Sequence, residues 1–304
     1  MIIDCHAHVA DHHSIPDEFI LGWSKSIFSS IEDKSISLDI IFEITKQMVR
    51  FDTDAKKLIS FMDKAGIDKT ILLPIDFGYV FKEIPIDYYK VINVHYCEIA
   101  QKSQNKLLSF AGIDPRRGAD GVTFFENLIS KYNVSGLKLY PPCGFYPNDE
   151  ILDPYYEICE KNKIPVLIHI GPTSSSLPFK YAHPKYVEDA AFKYPNINFI
   201  LAHGAIMFFD ECIQICRYRP NVYMDMSGFQ SIMNGGEFEK HLKTIKNNEL
   251  TSKLLFGTDF PFHNTKWSYS NCIEAIDNLF KKLDFTPTEI SAIMSNNIKE
   301  IINI

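Results

Sequence analysis

Residues 3–8 read Ile3-Asp4-Cys5-His6-Ala7-His8, and three later stretches share their design: Leu167-Ile168-His169-Ile170-Gly171, Leu201-Ala202-His203-Gly204 and Phe256-Gly257-Thr258-Asp259-Phe260-Pro261. Each is an apolar run that ends in a polar group. Side chains of a β-strand alternate between its faces, so the first stretch predicts Asp4, His6 and His8 on one face and Ile3, Cys5 and Ala7 on the other. Two neutral imidazoles two residues apart on a strand, met by another His and an Asp from other strands, form a ligand set for a divalent metal.

Working outward, apolar strand candidates alternate with helical segments along the chain. After the first strand they are Lys69–Ile75, Leu107–Asp114, Gly136–Tyr140, Val166–Gly171, Asn198–His203, Val222–Ser227 and Leu254–Asp259. The helix candidates are a segment from Asp52 to Ala65 ended by Gly66, then Ile86–Lys102, Gly121–Lys131, Tyr155–Asn162, Val187–Lys193, Asp210–Arg217, Glu237–Asn247, Asn271–Leu283 and a closing helix over Pro287–Ile302. Eight strands separated by helices imply parallel pairing through right-handed crossovers. The spacing agrees: Lys138 to His169 is 31 positions, His169 to His203 is 34, and His203 to Asp259 is 56, or two units of 28. The expected fold is therefore an α/β (β/α)8 TIM barrel, whose C-terminal strand ends converge on one face where active sites are built. A mainly helical insertion follows the first strand over about residues 9–50, with helical character at Leu38–Val49. No repeat or linker divides the chain, so one domain over residues 1–304 is expected.

The chain of 304 residues is 46% hydrophobic and 23% charged, enough for a large core. A formal net charge of −7 argues against the basic surface of a nucleic-acid binder. Seven cysteines, an odd number without a C-x-x-C pair, fit reduced thiols in the cytoplasm. No secretory signal and no run of about 20 apolar residues is seen, so no membrane partner is expected.

Strand-end position makes His6, His8, His169 and Asp259 the candidate metal ligands. Asp4 reads either as a hydrogen-bonded core carboxylate or as a group supporting the ligands from behind. Lys138, flanked by Leu137 and Leu139, is expected to point inward and to need a partner, because a desolvated ammonium is costly. An interaction with an acidic substrate or a site carboxylate is preferred for it over a bridging carbamate or a surface role. Arg116 and Arg117 follow the third strand; a solvated turn is the plainer reading, and capture of a substrate carboxylate, with Arg116 ahead, the functional one. Phe262, His263 and Trp267 are placed at the pocket mouth, with His12 and His13 as further candidates there. His95, His183 and His241 are given no role.

Together these motifs resemble the amidohydrolase superfamily, in particular its amidohydrolase-related branch that includes aminocarboxymuconate semialdehyde decarboxylase. Asp4-Cys5-His6-Ala7-His8 is similar to that branch's opening D-x-H-x-H, Ile168-His169-Ile170-Gly171 and Ala202-His203-Gly204 to its strand-five and strand-six histidines, and Gly257-Thr258-Asp259-Phe260-Pro261 to its G-T-D-x-P. A second glycine often follows the strand-six His-Gly; here Ala205-Ile206-Met207 stands instead, which affects the loop and not the ligands. The resemblance implies one divalent metal ion, zinc ahead of manganese, with His203 acting on water or substrate rather than completing the ligand set.

Such a site lowers the pKa of water, and His203 and Asp259 become the catalytic residues. The expected function is metal-dependent hydrolysis of a C–N or C–O bond in a small, anionic substrate, with Lys138 and Arg116 as substrate-binding residues. Non-oxidative decarboxylation is the alternative, and a non-catalytic ligand-binding barrel a third. The reading admits a homodimer.

Overall fold

Pairing begins with β1 (Ile3–Ala7), every residue of which is buried. In the computed structural model, which describes residues 1–31, 35–262 and 267–304, β1 pairs in parallel with β2 (Lys69–Leu72) and β2 with β3 (Leu107–Ser109). A second parallel run joins β4 (Ala111–Gly112), β5 (Leu137–Leu139), β6 (Val166–His169), β7 (Phe199–Ala202), β8 (Val222–Asp225) and β9 (Leu254–Leu255) in that order. The third strand expected from the sequence, Leu107–Asp114, is thus split at Phe110. The Phe110 amide donates to Leu72 O at 3.0 Å and that of Ala111 to Gly136 O at 2.9 Å, so one chain segment serves both neighbours in turn. The ring closes where Cys5 N donates to Phe256 O at 2.9 Å and Asp259 N to His6 O at 2.8 Å. Eight strand positions in parallel order make the (β/α)8 barrel that the spacing predicted.

Helices follow the strands: α1 (Asp17–Ser30), α2 (Leu38–Val49), α3 (Lys56–Ala65), α4 (Tyr88–Lys102), α5 (Gly118–Tyr132), α6 (Asp153–Asn162), α7 (Lys185–Lys193), α8 (Phe209–Tyr218), α9 (Glu237–Asn247) and α10 (Tyr269–Lys282). Gly66 stops α3 as expected, with φ +72° and its amide donating to Met62 O. The segment Pro287–Ile302 is not one helix. α11 (Pro287–Ser291) passes through a π-helical turn, Ala292–Asn296, into α12 (Asn297–Ile302). α1 lies within the expected insertion, its apolar period diluted by Gly22, Ser24, Ser26, Ser29 and Ser30.

Two apolar layers result. Ile3, Cys5, Ile71, Leu73, Leu167, Ile200 and Leu255 pack inside the barrel together with Ile298, Ile301 and Ile302 of α12. Because Asn297 Nδ2 donates to Leu254 O at the start of β9, α12 stoppers the N-terminal mouth. The other mouth is left for chemistry.

The strict alternation expected of β1 fails at one place. Asp4 pairs with Thr70 and Ala7 with Leu72, so three steps on β1 face two on β2, which is a β-bulge. Cys5 stays in the inner cluster, and His6 and His8 still reach the mouth. Asp4 turns to the opposite side, where its carboxylate meets Tyr269 at the start of α10. It does not lie beneath the imidazoles on their own face.

Candidate metal centre and active site

The five residues expected at strand ends converge. His169 is the last residue of β6 and His203 the first after β7; Asp259 lies four positions beyond β9. His203 and Asp259 both take left-handed backbone angles, φ +63° and +59°, which turn the chain out of its strand at those residues. With His6 and His8 they line one cavity of about 210 Å³ at the C-terminal mouth.

Hydrogen bonds assign the tautomers. His8 Nδ1 lies 2.7 Å from Leu73 O, a carbonyl that can only accept, so Nδ1 carries the proton. His6 Nδ1 lies 2.9 Å from Asp225 Oδ2 and likewise donates. Burial, with Lys138 nearby, holds His6 down at about 3, and burial lowers His8, so both rings are neutral at neutral pH. Their Nε2 atoms therefore offer lone pairs, and both face Asp259 Oδ1, at 3.6 Å from His6 and 3.4 Å from His8. Two imidazole nitrogens and a carboxylate oxygen are thereby brought to one point of the cavity, an arrangement that a cation between them would stabilise. His169 Nε2 adds a buried nitrogen with no hydrogen-bond partner among the described residues. It stands outside the tightest ligand cluster, which is His6, His8 and Asp259. The donor set fits a divalent metal.

His6, His203 and Asp225 form a second close group. It is a hydrogen-bond hub and not a cation cage, because Asp225 already accepts from His6 Nδ1, from the His203 amide at 2.8 Å and from the Ser227 amide at 3.0 Å. Burial would raise the Asp225 carboxyl, but His6 and these donors together hold it well below the usual carboxylate range. His203 Nδ1 donates to Ser227 O at 3.1 Å, which leaves its Nε2 as the acceptor. Neither Asp225 nor Ser227 was singled out from sequence. The signal was present: Asp225 ends an apolar run, Val222-Tyr223-Met224, by the same rule that found the histidines.

Asp4 accepts from the amides of His6 and Thr258, both at 3.0 Å, and from the Tyr269 hydroxyl at 3.0 Å. Burial raises it to about 7 despite these donors. It ties the segments that carry His6 and Asp259 to each other through their backbone. Lys138 points inward as expected, but Nζ is buried with no hydrogen-bond partner among the described residues. Burial lowers it to about 8, against the opposing pull of Asp225 and Asp259. The partner expected for it is thus two nearby charges and no direct bond.

The arginines lie elsewhere. Arg116 donates to both oxygens of Asp114, at 2.8 and 2.6 Å, and to Cys143 O, and it does not line the cavity. Arg117 is held by Asp76 in the same forked way. Each closes its own buried carboxylate, so the carboxylate capture expected of Arg116 is not its geometry. His12 and His13 lie against each other away from the cavity, their rings tilted by 41° with centroids 3.7 Å apart. Phe262 does line it, Trp267 packs in a small neighbouring pocket, and His263 lies outside the described residues. Phe19 and Trp23 of α1 form the rest of an aromatic wall, each packed on Phe262. Met207, from the loop that lacks the second glycine, also faces the cavity.

A family model described as Amidohydrolase matches residues 3–304. Solved structures of similar fold include 5-carboxyvanillate decarboxylase from Novosphingobium aromaticivorans, complexed with manganese and 4-hydroxy-3-methoxy-5-nitrobenzoic acid, at 14% identity over 100% of this chain and 96% of that one, with a TM-score of 0.71. A probable 2-pyrone-4,6-dicarboxylic acid hydrolase from Acinetobacter baumannii, with citric acid bound, is 17% identical over 100% of this chain and 99% of that one, with a TM-score of 0.64. Protein fluG of Emericella nidulans is 23% identical over 106 residues, 35% of this chain, and the match spans only 12% of that protein's length. Among the described residues no helix is long and apolar enough to cross a membrane.

Proposed function

The chain belongs to the amidohydrolase family, and from that premise we propose that its cavity is the active site of a metal-dependent hydrolase in which His6, His8, His169 and Asp259 hold one divalent ion. The observation that carries the proposal is the convergence of the His6 and His8 Nε2 lone pairs on Asp259 Oδ1. Three imidazoles and a carboxylate suit zinc ahead of manganese. When bound, the ion supplies Lewis acidity to a substrate oxygen and lowers the pKa of water. The chain's own residues do the rest. His203, with Nδ1 committed to Ser227 O, presents its Nε2 edge to orient the water or to stabilise charge on the substrate's carbonyl oxygen. Asp259 takes the proton released by the attacking water and passes it to the departing nitrogen or oxygen of the cleaved C–N or C–O bond. Phe19, Trp23 and Phe262 wall the cavity against bulk water.

The substrate proposed is small and carboxylate-bearing. Support comes from the buried Lys138 charge near the site, and from the citric acid and nitrobenzoic acid held by proteins of the same fold. Decarboxylation is the second reading, favoured by the aromatic wall, which suits a planar acid; His203 or Asp259 would then protonate the carbon that loses CO2. Seven buried free cysteines accord with a reducing cytoplasm.

The test combines elemental analysis with a screen of lactones, amides and aromatic acids for hydrolysis and CO2 release. About one divalent ion per chain is expected, with turnover in one arm. His203→Ala should keep the metal and lose activity by two to four orders of magnitude, roughly the worth of a general acid–base group. A folded but metal-free His203→Ala would place His203 among the ligands and remove this assignment.

A further inference from the structure

The active mouth of the barrel has two sides. β1 and β9 meet where the ring closes, and from there His6, His8 and Asp259 gather at one point. β5 and β6, the fourth and fifth of the eight strand positions, lie across the ring from them. That far side supplies Tyr140, the residue after β5, and Thr173, from the loop after β6. Both line the cavity, and their hydroxyl oxygens are 2.5 Å apart.

Each of these hydroxyls carries one proton, since a phenol stays protonated at neutral pH. Their mutual bond uses one of the two protons. Whichever group donates, the other O–H is left over, and among the described residues neither group has another hydrogen-bond partner. Tyr140 is buried, where an O–H is ordinarily paired.

Both groups are held still. Cys143 N donates to Tyr140 O at 3.0 Å in the turn Pro141–Cys143, and Arg116 clamps the end of that turn by donating to Cys143 O at 2.8 Å. The Tyr140 ring lies 4.6 Å from that of His169 and 5.7 Å from that of Phe77. Thr173 precedes Ser174, whose hydroxyl is fixed on Phe19 O. A fixed donor facing a cavity reads the position of an oxygen in whatever enters it.

We propose that Tyr140 and Thr173 form a specificity subsite: with one oxygen function of the substrate on the metal side of the mouth, the O–H left over from their mutual bond donates to a second oxygen at the far end of the molecule. The inference rests on the metal reading above and adds a substrate class to it, a small planar acid that carries a hydroxyl or carbonyl oxygen remote from its carboxylate. Planarity follows from the wall of Phe19, Trp23 and Phe262, and remoteness from the opposed places of the two sites around the ring. An acid without the second oxygen leaves the O–H unpaired and binds more weakly.

Calorimetric titration of the zinc-loaded chain with benzoate and with the ortho, meta and para hydroxybenzoates tests this. The meta or para isomer should bind more tightly than benzoate by roughly five- to tenfold, the worth of one hydrogen bond between neutral groups. Tyr140→Phe keeps the ring on His169, and Thr173→Val keeps the shape of the loop side chain. Each should reduce the preference, and the double variant should abolish it, with zinc content and benzoate affinity unchanged. A zinc-loaded wild type that binds all four acids alike, binds none, or prefers only the ortho isomer overturns the subsite and leaves the metal reading standing. So does a double variant that keeps the preference, or one that loses benzoate and the hydroxybenzoates equally. A chain that takes up no zinc removes the metal reading and this subsite with it.

Discussion

Asp225 decides what His6 can do. By accepting from Nδ1 at 2.9 Å it fixes the tautomer, so that Nε2 is the free donor of electrons towards Asp259. Groups that orient a ligand in this way typically matter by 10- to 100-fold in metal affinity. Asp225→Asn should weaken zinc binding by about that range, read by competition with a chromogenic chelator; equal affinity would show that the ring needs no such support. Lys138 offers a second test, through pH. Its folded pKa lies near 8 against an ordinary 10.5, so the chain bears the full desolvation cost below pH 8. Between those values the folded state has released its proton and the unfolded state has not, so stability climbs as pH rises. Metal-free wild type should therefore gain roughly 3 kcal/mol on Lys138→Met between pH 8 and 10.5, compared by urea unfolding. Parallel profiles for the two proteins would mean that Lys138 is solvated.

At the scale of elements, the loop after β6 seats α1 beside the cavity. The hydroxyls of Ser174, Ser175 and Ser176 donate to the carbonyls of Phe19, Gly22 and Glu18 at 2.7, 2.7 and 2.8 Å. A Cβ on Gly22 would stand 2.1 Å from Ser174 Oγ and 2.6 Å from the Ser176 amide. The backbone contact cannot give way cheaply, so glycine is required there. Gly22→Ala should tilt α1 off its seat and move Phe19 and Trp23. The expected result is a weaker KM with metal content unchanged and a loss of stability of about 1–3 kcal/mol. Unaltered Trp fluorescence and KM in that variant would separate α1 from the substrate wall.

For the whole molecule, the site is built from residues on β1, β6 and the segments after β7 and β9, so an ion held there ties distant parts of the chain together. A ligand that binds only the folded state stabilises it, by about 2.7 kcal/mol at a hundred times its Kd. Zinc or manganese added to metal-free protein should raise Tm by several degrees, and His169→Ala should abolish most of that rise. An equal rise in His169→Ala would place the ion elsewhere.

Much of this was legible in the sequence, because a barrel strand is a local object. Apolar runs of four to six residues, repeated at spacings near 30, specify parallel strands, and a polar residue at the end of each can only fall at one mouth. His6, His8, His169, His203 and Asp259 were found that way. What the sequence could not settle depended on partners far along the chain. Whether Arg116 and Arg117 were free rested on Asp114 and Asp76, whose carboxylates take both forks. The face of Asp4 rested on a bulge set by pairing with β2, since one extra residue reverses the side from which a strand position points. The tautomer of His6 rested on Asp225, and the aromatic wall on three serines that seat α1. Periodicity is written along the chain, whereas charge pairing, register and proton position are properties of contacts, and those exist only once the barrel has closed.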